Sequence, residues 1–309
     1  MTSMPTLQNL QGGGKRLLAD ALAGVEAAPG DASVVALLDS AYAAARAHVI
    51  GVTGPPGVGK SSLINVLIRR WRQTGSTVGV VAVDPSSRMT GGALLGDRTR
   101  METDPADQGV FVRSLAARGR LGGLADLAFP AIVLMRALFD VVLVESVGVG
   151  QSEAEIGTLA DTIVLCVQPG SGDSLQFMKA GIMEIPDVAV VTKADVGKAA
   201  ERTLAELQGA LSLSSGSEAI RVLAASAQSG AGVTELVEAL SARYAGLAQT
   251  GQLATIRHRH AAAWLGNTIR IEFGRQGLVA VGGDLQLPAG TGPFAHEQAL
   301  IQRLHVSRH

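Results

Sequence analysis

Val49-Ile-Gly-Val-Thr-Gly54-Pro55-Pro56-Gly57-Val58-Gly59-Lys60-Ser61-Ser62-Leu-Ile64 reads as an apolar strand, a glycine-rich turn and the first turn of a helix. Gly54, four intervening residues, then Gly59, Lys60 and Ser61 complete the phosphate-binding loop pattern. Glycines let successive backbone N–H groups converge on phosphate oxygens, and the helix start adds the positive end of its dipole. In this pattern Lys60 reaches the β- and γ-phosphates and the Ser61 hydroxyl holds Mg²⁺. Pro55, Pro56, Val58 and Ser62 complete the cradle. A plain glycine-rich turn would not need the apolar strand before it and the helical pattern after it. The stretch therefore predicts a nucleoside triphosphate site on a parallel α/β sheet.

Working outward, further apolar runs each end in residues suited to that site. Residues 77–83 form a second strand ending at Asp84, at the carboxyl rim where open α/β sheets bind ligands. Asp84 is either a metal-site carboxylate or a turn-forming Asp before Pro85. The glycine-rich stretch 88–100 is long for a connection and carries a second candidate acid, Asp97. A short strand is expected at 109–113. Phe139-Asp-Val-Val-Leu-Val-Glu145-Ser-Val-Gly148 is a buried strand ending in an acid, with glycine three residues on. That is a Walker B arrangement with Glu in the usual Asp place: Glu145 organises Mg²⁺ or its water, and the Gly148 amide senses the γ-phosphate. Val149 stands where Ras-type proteins carry a water-positioning glutamine, so slow unaided hydrolysis is expected.

The base is read further along. After the strand at 162–167, the polar loop Pro169-Gly-Ser-Gly-Asp173-Ser-Leu-Gln176-Phe-Met-Lys179 is either a nucleotide-responsive segment or an ordinary connection. Thr192-Lys193-Ala194-Asp195 closes the next strand. A carboxylate at Asp195 accepts from guanine N1–H and the 2-amino group, while the Lys193 stem lies along the purine. Adenine, with an acceptor at N1 and no 2-amino group, is repelled. Thr192 replaces the usual bracing Asn, which is expected to loosen nucleotide binding without changing base choice. A last strand at 220–224 leads into Ser226-Ala227-Gln228, where a backbone amide, that of Ala227, is expected to meet guanine O6.

Composition sets the bounds. Lys+Arg 26 against Asp+Glu 27 leaves a net charge of −1, with no global field toward nucleic acid or anionic lipid. The single cysteine, Cys166, lies in an apolar run, which suits a reducing, cytoplasmic setting. The longest apolar stretch, 131–144, is interrupted by Arg136 and Asp140, too early for a membrane span. Residues 7–28 and 32–47 carry helical spacing around a stop and N-cap at Gly30-Asp31. They are read as a helical extension of the nucleotide domain or as a solvated hairpin. Beyond Thr250 a basic helical segment, 256–265, precedes a stretch without clear period, read as an oligomerisation arm. His258 and His260, two apart, fit neither one helix face nor a zinc spacing. The expected division is 1–47, 48–248 and 249–309.

Five ordered stretches carry a family resemblance: Gly54–Ser62, Val83-Asp-Pro-Ser-Ser87, Gly91-Gly-Ala-Leu-Leu-Gly-Asp97-Arg-Thr-Arg-Met101, Val144-Glu-Ser-Val-Gly-Val-Gly-Gln-Ser-Glu153 and Pro169-Gly-Ser-Gly-Asp173. The chain resembles the MeaB/MMAA/ArgK family, G-protein chaperones of adenosylcobalamin-dependent acyl-CoA mutases. The resemblance implies a homodimeric P-loop GTPase of the SIMIBI type, using GTP/GDP and Mg²⁺, that gates cofactor loading, protection and reactivation of a mutase. It makes Asp84 and Asp97 metal or switch residues and Glu145 the Walker B acid. It makes Asp173, Gln176 and Lys179 part of a third switch facing the mutase. A metal-inserting GTPase and a small-molecule kinase of an amino-acid transport system are the alternatives. The scattered histidines weigh against the first and the guanine-reading residues against the second. A binding switch that never turns over stays open.

Overall fold

In the computed structural model the described residues are 4–85, 101, 103–117, 125–146, 156–170, 186–212, 220–288 and 290–306, without the side chains of 83–85, 116–117 and 125–127. Seven strands form one sheet: β1 (His48–Thr53), β2 (Val78–Pro85), β3 (Val110–Ala117), β4 (Val141–Glu145), β5 (Thr162–Val167), β6 (Val188–Val191) and β7 (Arg221–Ala224). All pairings are parallel and the order is β3-β2-β4-β1-β5-β6-β7. The phosphate-loop strand β1 is therefore central, and chain direction across the sheet reverses on either side of it. That crevice is where open α/β sheets take their ligands.

Both faces of the sheet are covered, and the strands accordingly read as continuous apolar runs. In β1 and β4, Val49, Val142 and Val144 point into one core, while Ile50, Val52, Val141 and Leu143 point into the other. Alternation along a pleated strand produces this division. The second core is roofed by α4 (Lys60–Gln73) and α7 (Val233–Gln249), and α6 (Lys198–Ser212) packs over the β5–β7 end. The first is roofed by α5 (Ala125–Leu138) with the helices of both chain ends.

The N-terminal helices are core elements and no solvated hairpin. α1 (Leu7–Gly12), α2 (Gly14–Ala27) and α3 (Ala32–Ala43) bury Leu10, Leu18, Leu22, Val25, Val34, Leu37 and Leu38 in the first core. The expected single helix over 7–28 breaks at Gly12-Gly13-Gly14, where Gly14 takes φ +71. Asp31 caps α3 as expected, accepting from Ser33 N–H at 2.8 Å.

The C-terminal segment is more helical than its sequence suggests. α8 (Gln252–Val281) runs 30 residues, broken at Gly274 by a non-helical φ of 67°, and α9 (Pro293–Val306) follows. Within α8, Arg257 and His260 face inward while His258 is exposed. Trp264 stacks on Phe129 of α5 at 5.0 Å and meets Phe294 of α9 at 4.8 Å. Arg257 donates through Nε and a terminal nitrogen to both Asp161 oxygens, at 2.9 and 2.7 Å, and to Ala47 O at 2.7 Å. Asp161 also accepts from Val49 N–H at 2.9 Å, so α8 is bolted to the starts of β1 and β5. Among the described residues, no single helix is long and apolar enough to cross a membrane.

Candidate nucleotide site

The loop between β1 and α4 follows its sequence closely. Gly54 has φ +138, and a Cβ there would lie 2.4 Å from the Cys166 carbonyl oxygen on β5. Only glycine lets the loop start that close to the neighbouring strand. Gly59, at φ +100, is the residue before α4, which begins at Lys60 with no side-chain cap bond. The first N–H groups of a 14-residue helix therefore open onto the loop. Lys60 is buried, and its ammonium donates to Gly54 O at 2.8 Å and Pro55 O at 3.1 Å. Cys166 lies fully buried beneath, and burial pushes its thiol up to about 12, so it is a neutral packing group.

On the side expected to hold a metal, two predicted residues come together. Ser61 Oγ donates to Glu145 Oε1 at 2.6 Å, across 84 residues of chain. Glu145 ends β4, in register with Val52 of β1 on one side and Ala82 of β2 on the other. The backbone of Asp84 therefore lies two residues beyond that level on the adjacent strand. Below it, Ser146 Oγ donates to Thr53 Oγ1 at 3.0 Å, tying the β4 and β1 ends together. A hydroxyl and a carboxylate oxygen beside the phosphate loop suit a hard divalent cation such as Mg²⁺.

The side expected to take the base is assembled from three loop ends. Thr192 is buried, and its hydroxyl sits 2.7 Å from Val58 O and 3.2 Å from Val167 O, donating between the phosphate loop and β5. The threonine hydroxyl thus braces the loop where Asn is usual, tying it to the phosphate loop and to β5. Lys193 adopts φ +53, the one described non-glycine residue with positive φ, and donates to Gly57 O at 3.1 Å and Gln168 Oε1 at 2.9 Å. Its stem thus lies along the loop, with Cε 4.0 Å from where a Gly59 Cβ would sit. Ser226 is buried and accepts the N–H groups of Gln228 and Ser229 at 3.2 and 3.1 Å while donating to Asp195 Oδ1. That hydroxyl holds the Asp195 carboxyl below its ordinary value, so the exposed acid is an anion aimed by Ser226.

These groups surround a cavity of about 490 Å³ lined by Gly59, Ser62, Thr192, Lys193, Asp195 and Gln228, among others. Ala227 lines it too. Sequence reading missed Asn65, Arg69 and Gln168. The signal for the first two is spacing, since they follow Ser62 by three and seven residues on one helical face. Asp97, Gly148, Asp173, Gln176 and Lys179 lie outside the described residues.

Residues 18–276 match the family described as methylmalonyl Co-A mutase-associated GTPase MeaB. A Pyrococcus horikoshii protein is 48% identical over 218 residues, 69% of this chain and 68% of its own. The mouse protein named methylmalonic aciduria type A homolog, mitochondrial, is 37% identical over 227 residues, 72% of this chain and 55% of its own. Among solved structures, one described as a LAO/AO transport system kinase superposes with a TM-score of 0.66 at 26% identity, covering 97% of this chain and 96% of that one. With the phosphate loop, the Glu145 strand and the residues expected to read the base in one crevice, the chain belongs to the MeaB family of P-loop GTPases.

Proposed function

We propose that this GTPase is a chaperone that couples its nucleotide state to an adenosylcobalamin-dependent acyl-CoA mutase, gating cofactor loading, protection and reactivation. The family's description as mutase-associated and the mouse relative's name support that client. The observation that carries the nucleotide reading is the Ser226-aimed Asp195 carboxylate at the rim of the cavity beside the phosphate loop. Guanine supplies two donors to a carboxylate there, and adenine supplies none.

The residues divide the work. Backbone N–H groups at the start of α4 take the phosphate oxygens, and Lys60 turns its ammonium from the loop carbonyls to the β- and γ-oxygens. Ser61 and Glu145, with Asp84 and Asp97 as further acids, are the residues that would hold Mg²⁺, which when bound neutralises charge on the β- and γ-oxygens. Attack by water on the γ-phosphate is in-line, and positioning supplies most of the acceleration. Without a glutamine after Gly148, useful speed requires the mutase to order the site, with Asp173, Gln176 and Lys179 as the coupling residues. A second copy of the chain completes the working unit.

The test is GTP turnover by the purified protein with and without a mutase encoded in the same genome, with Lys60→Ala as the inactive control. Stimulation of tenfold or more, about 1.4 kcal/mol of barrier, is expected. No stimulation together with no complex on size exclusion sinks that client. The structural relative described as a transport system kinase keeps one second reading alive. ATP turnover equal to GTP turnover would favour it.

A further inference from the structure

We propose that Arg69 is a purine-stacking residue whose guanidinium covers the face of guanine opposite the Lys193 stem. The inference rests on the nucleotide-site reading above and adds a contact that reading does not contain. The lining of the 490 Å³ cavity comes from three stretches: the α4 face, the Thr192–Val196 loop and the Ala225–Gln228 loop. The second supplies Asp195 for the N1 and 2-amino edge and the Lys193 stem for one face of the ring. The third meets the O6 edge. Among the described residues, the α4 wall is left for the other face.

That wall is a stripe. Ser62, Asn65 and Arg69 lie at i, i+3 and i+7, and all three line the cavity. At 1.5 Å of rise per residue, Arg69 lies about 10 Å along the helix from Ser62. Ser62 is level with the phosphates at the helix start, and a nucleotide spans about that distance from its inner phosphates to its base. The outermost member of the stripe therefore stands at the level of the purine.

The residue type fits the position. A guanidinium is planar and weakly hydrated and stacks on aromatic faces, whereas an ammonium carries charge without a plane. Arg69 is exposed, as an ordinary solvated helix charge would also be. What separates it from such a charge is that it lines the cavity beside Asn65, which is buried, on the face that starts at the phosphate loop.

Dissociation constants for GDP, IDP and 2′-deoxy-GDP, measured by titration calorimetry on the full chain, test this. Arg69→Ala is expected to weaken GDP and IDP by the same factor, about tenfold, because stacking ignores the 2-amino group. Arg69→Lys is expected to recover only a minor part, and the thermal midpoints of both variants without nucleotide should match the parent. Asp195→Asn serves as the separate check, shifting preference from GDP toward XDP. If that shift is absent, the base-site reading falls and this proposal with it. If the shift occurs but Arg69→Ala leaves GDP affinity unchanged, Arg69 is a solvated charge. Full recovery in Arg69→Lys would make its role electrostatic, and a loss that disappears with 2′-deoxy-GDP would make it a ribose contact. Any of these three overturns stacking.

Discussion

Thr192 stands where the base-reading pattern usually has asparagine, and its hydroxyl joins its own loop to the phosphate loop at Val58. Replacing it with valine keeps the shape and removes the donor, leaving a buried carbonyl without that partner. Such a loss is worth about 1–3 kcal/mol. Thr192→Val should therefore raise the GDP dissociation constant about tenfold or more without changing the preference for guanine over adenine. Thr192→Asn, which restores a donor at that place, should stay within a few-fold of the parent. Equal affinities for parent and valine variant, measured by calorimetry, would show that the tie does not organise the site. At this scale the sequence was legible wherever the chemistry needs a particular residue at a particular spacing: Lys60, Ser61, Glu145 and Asp195 are such positions. Two things were not legible. The reach of the Thr192 hydroxyl depends on how β5 and β6 seat the loop, and the roles of Asn65 and Arg69 depend on which helical face lines the cavity.

Elements were legible in proportion to the strength of their period. The buried strands announced themselves as apolar runs, and α4 by its place after the phosphate loop. The C-terminal helices did not, because Gly274 interrupts the period of α8 and its buried positions face several neighbours in turn. α9 is held by a cap from far away. Asp39 of α3 accepts from Phe294 N–H at 3.0 Å and Ala295 N–H at 2.9 Å. Its carboxylate lies so close to Gly292 that a Cβ there would come within 2.1 Å. A cap of this kind is worth about 1 kcal/mol. Asp39→Ala should lower unfolding free energy by about that much in urea melts, and Asp39→Asn, also a good cap, by much less. If the alanine and asparagine variants melt alike, the carboxylate is not acting as a cap. No local pattern reveals such a bond, since its partners are 255 residues apart.

Across the whole molecule, the end of the sheet away from the nucleotide carries a buried polar layer of His48, Asp161, Arg257 and His260. His48 stacks on Tyr244 at 4.7 Å and bonds Thr162 Oγ1 at 2.8 Å. Burial holds both His48 and His260 down to about 4, with Asp161 opposing and neighbouring arginines reinforcing the shift. Each imidazole is thus neutral in the fold but takes a proton near 6.5 when unfolded. The unfolded chain binds more protons between those values, so stability is full above about pH 6.5 and falls as pH drops toward 4. The slope is on the order of 1.4 kcal/mol per pH unit for each histidine. Denaturant midpoints at pH 7.5, 5.5 and 4.5 should show the fall, and His260→Gln should flatten it. An unchanged slope in that variant would place the protons elsewhere. The α/β architecture could be read from the alternation of strand and helix patterns, whereas this layer could not, because a histidine next to a strand looks the same buried or wet. The bond from Asp39 to the start of α9 has a further consequence, for biosynthesis. On the ribosome, the phosphate loop and its flanking strands emerge long before α9, so the surface of α3 that α9 will cover stays wet until Phe294 and the turns after it have been translated. The nucleotide crevice can assemble early, but the first core closes only when α9 is in place, and a chain stalled before Phe294 would display an apolar face to the cell's quality-control machinery.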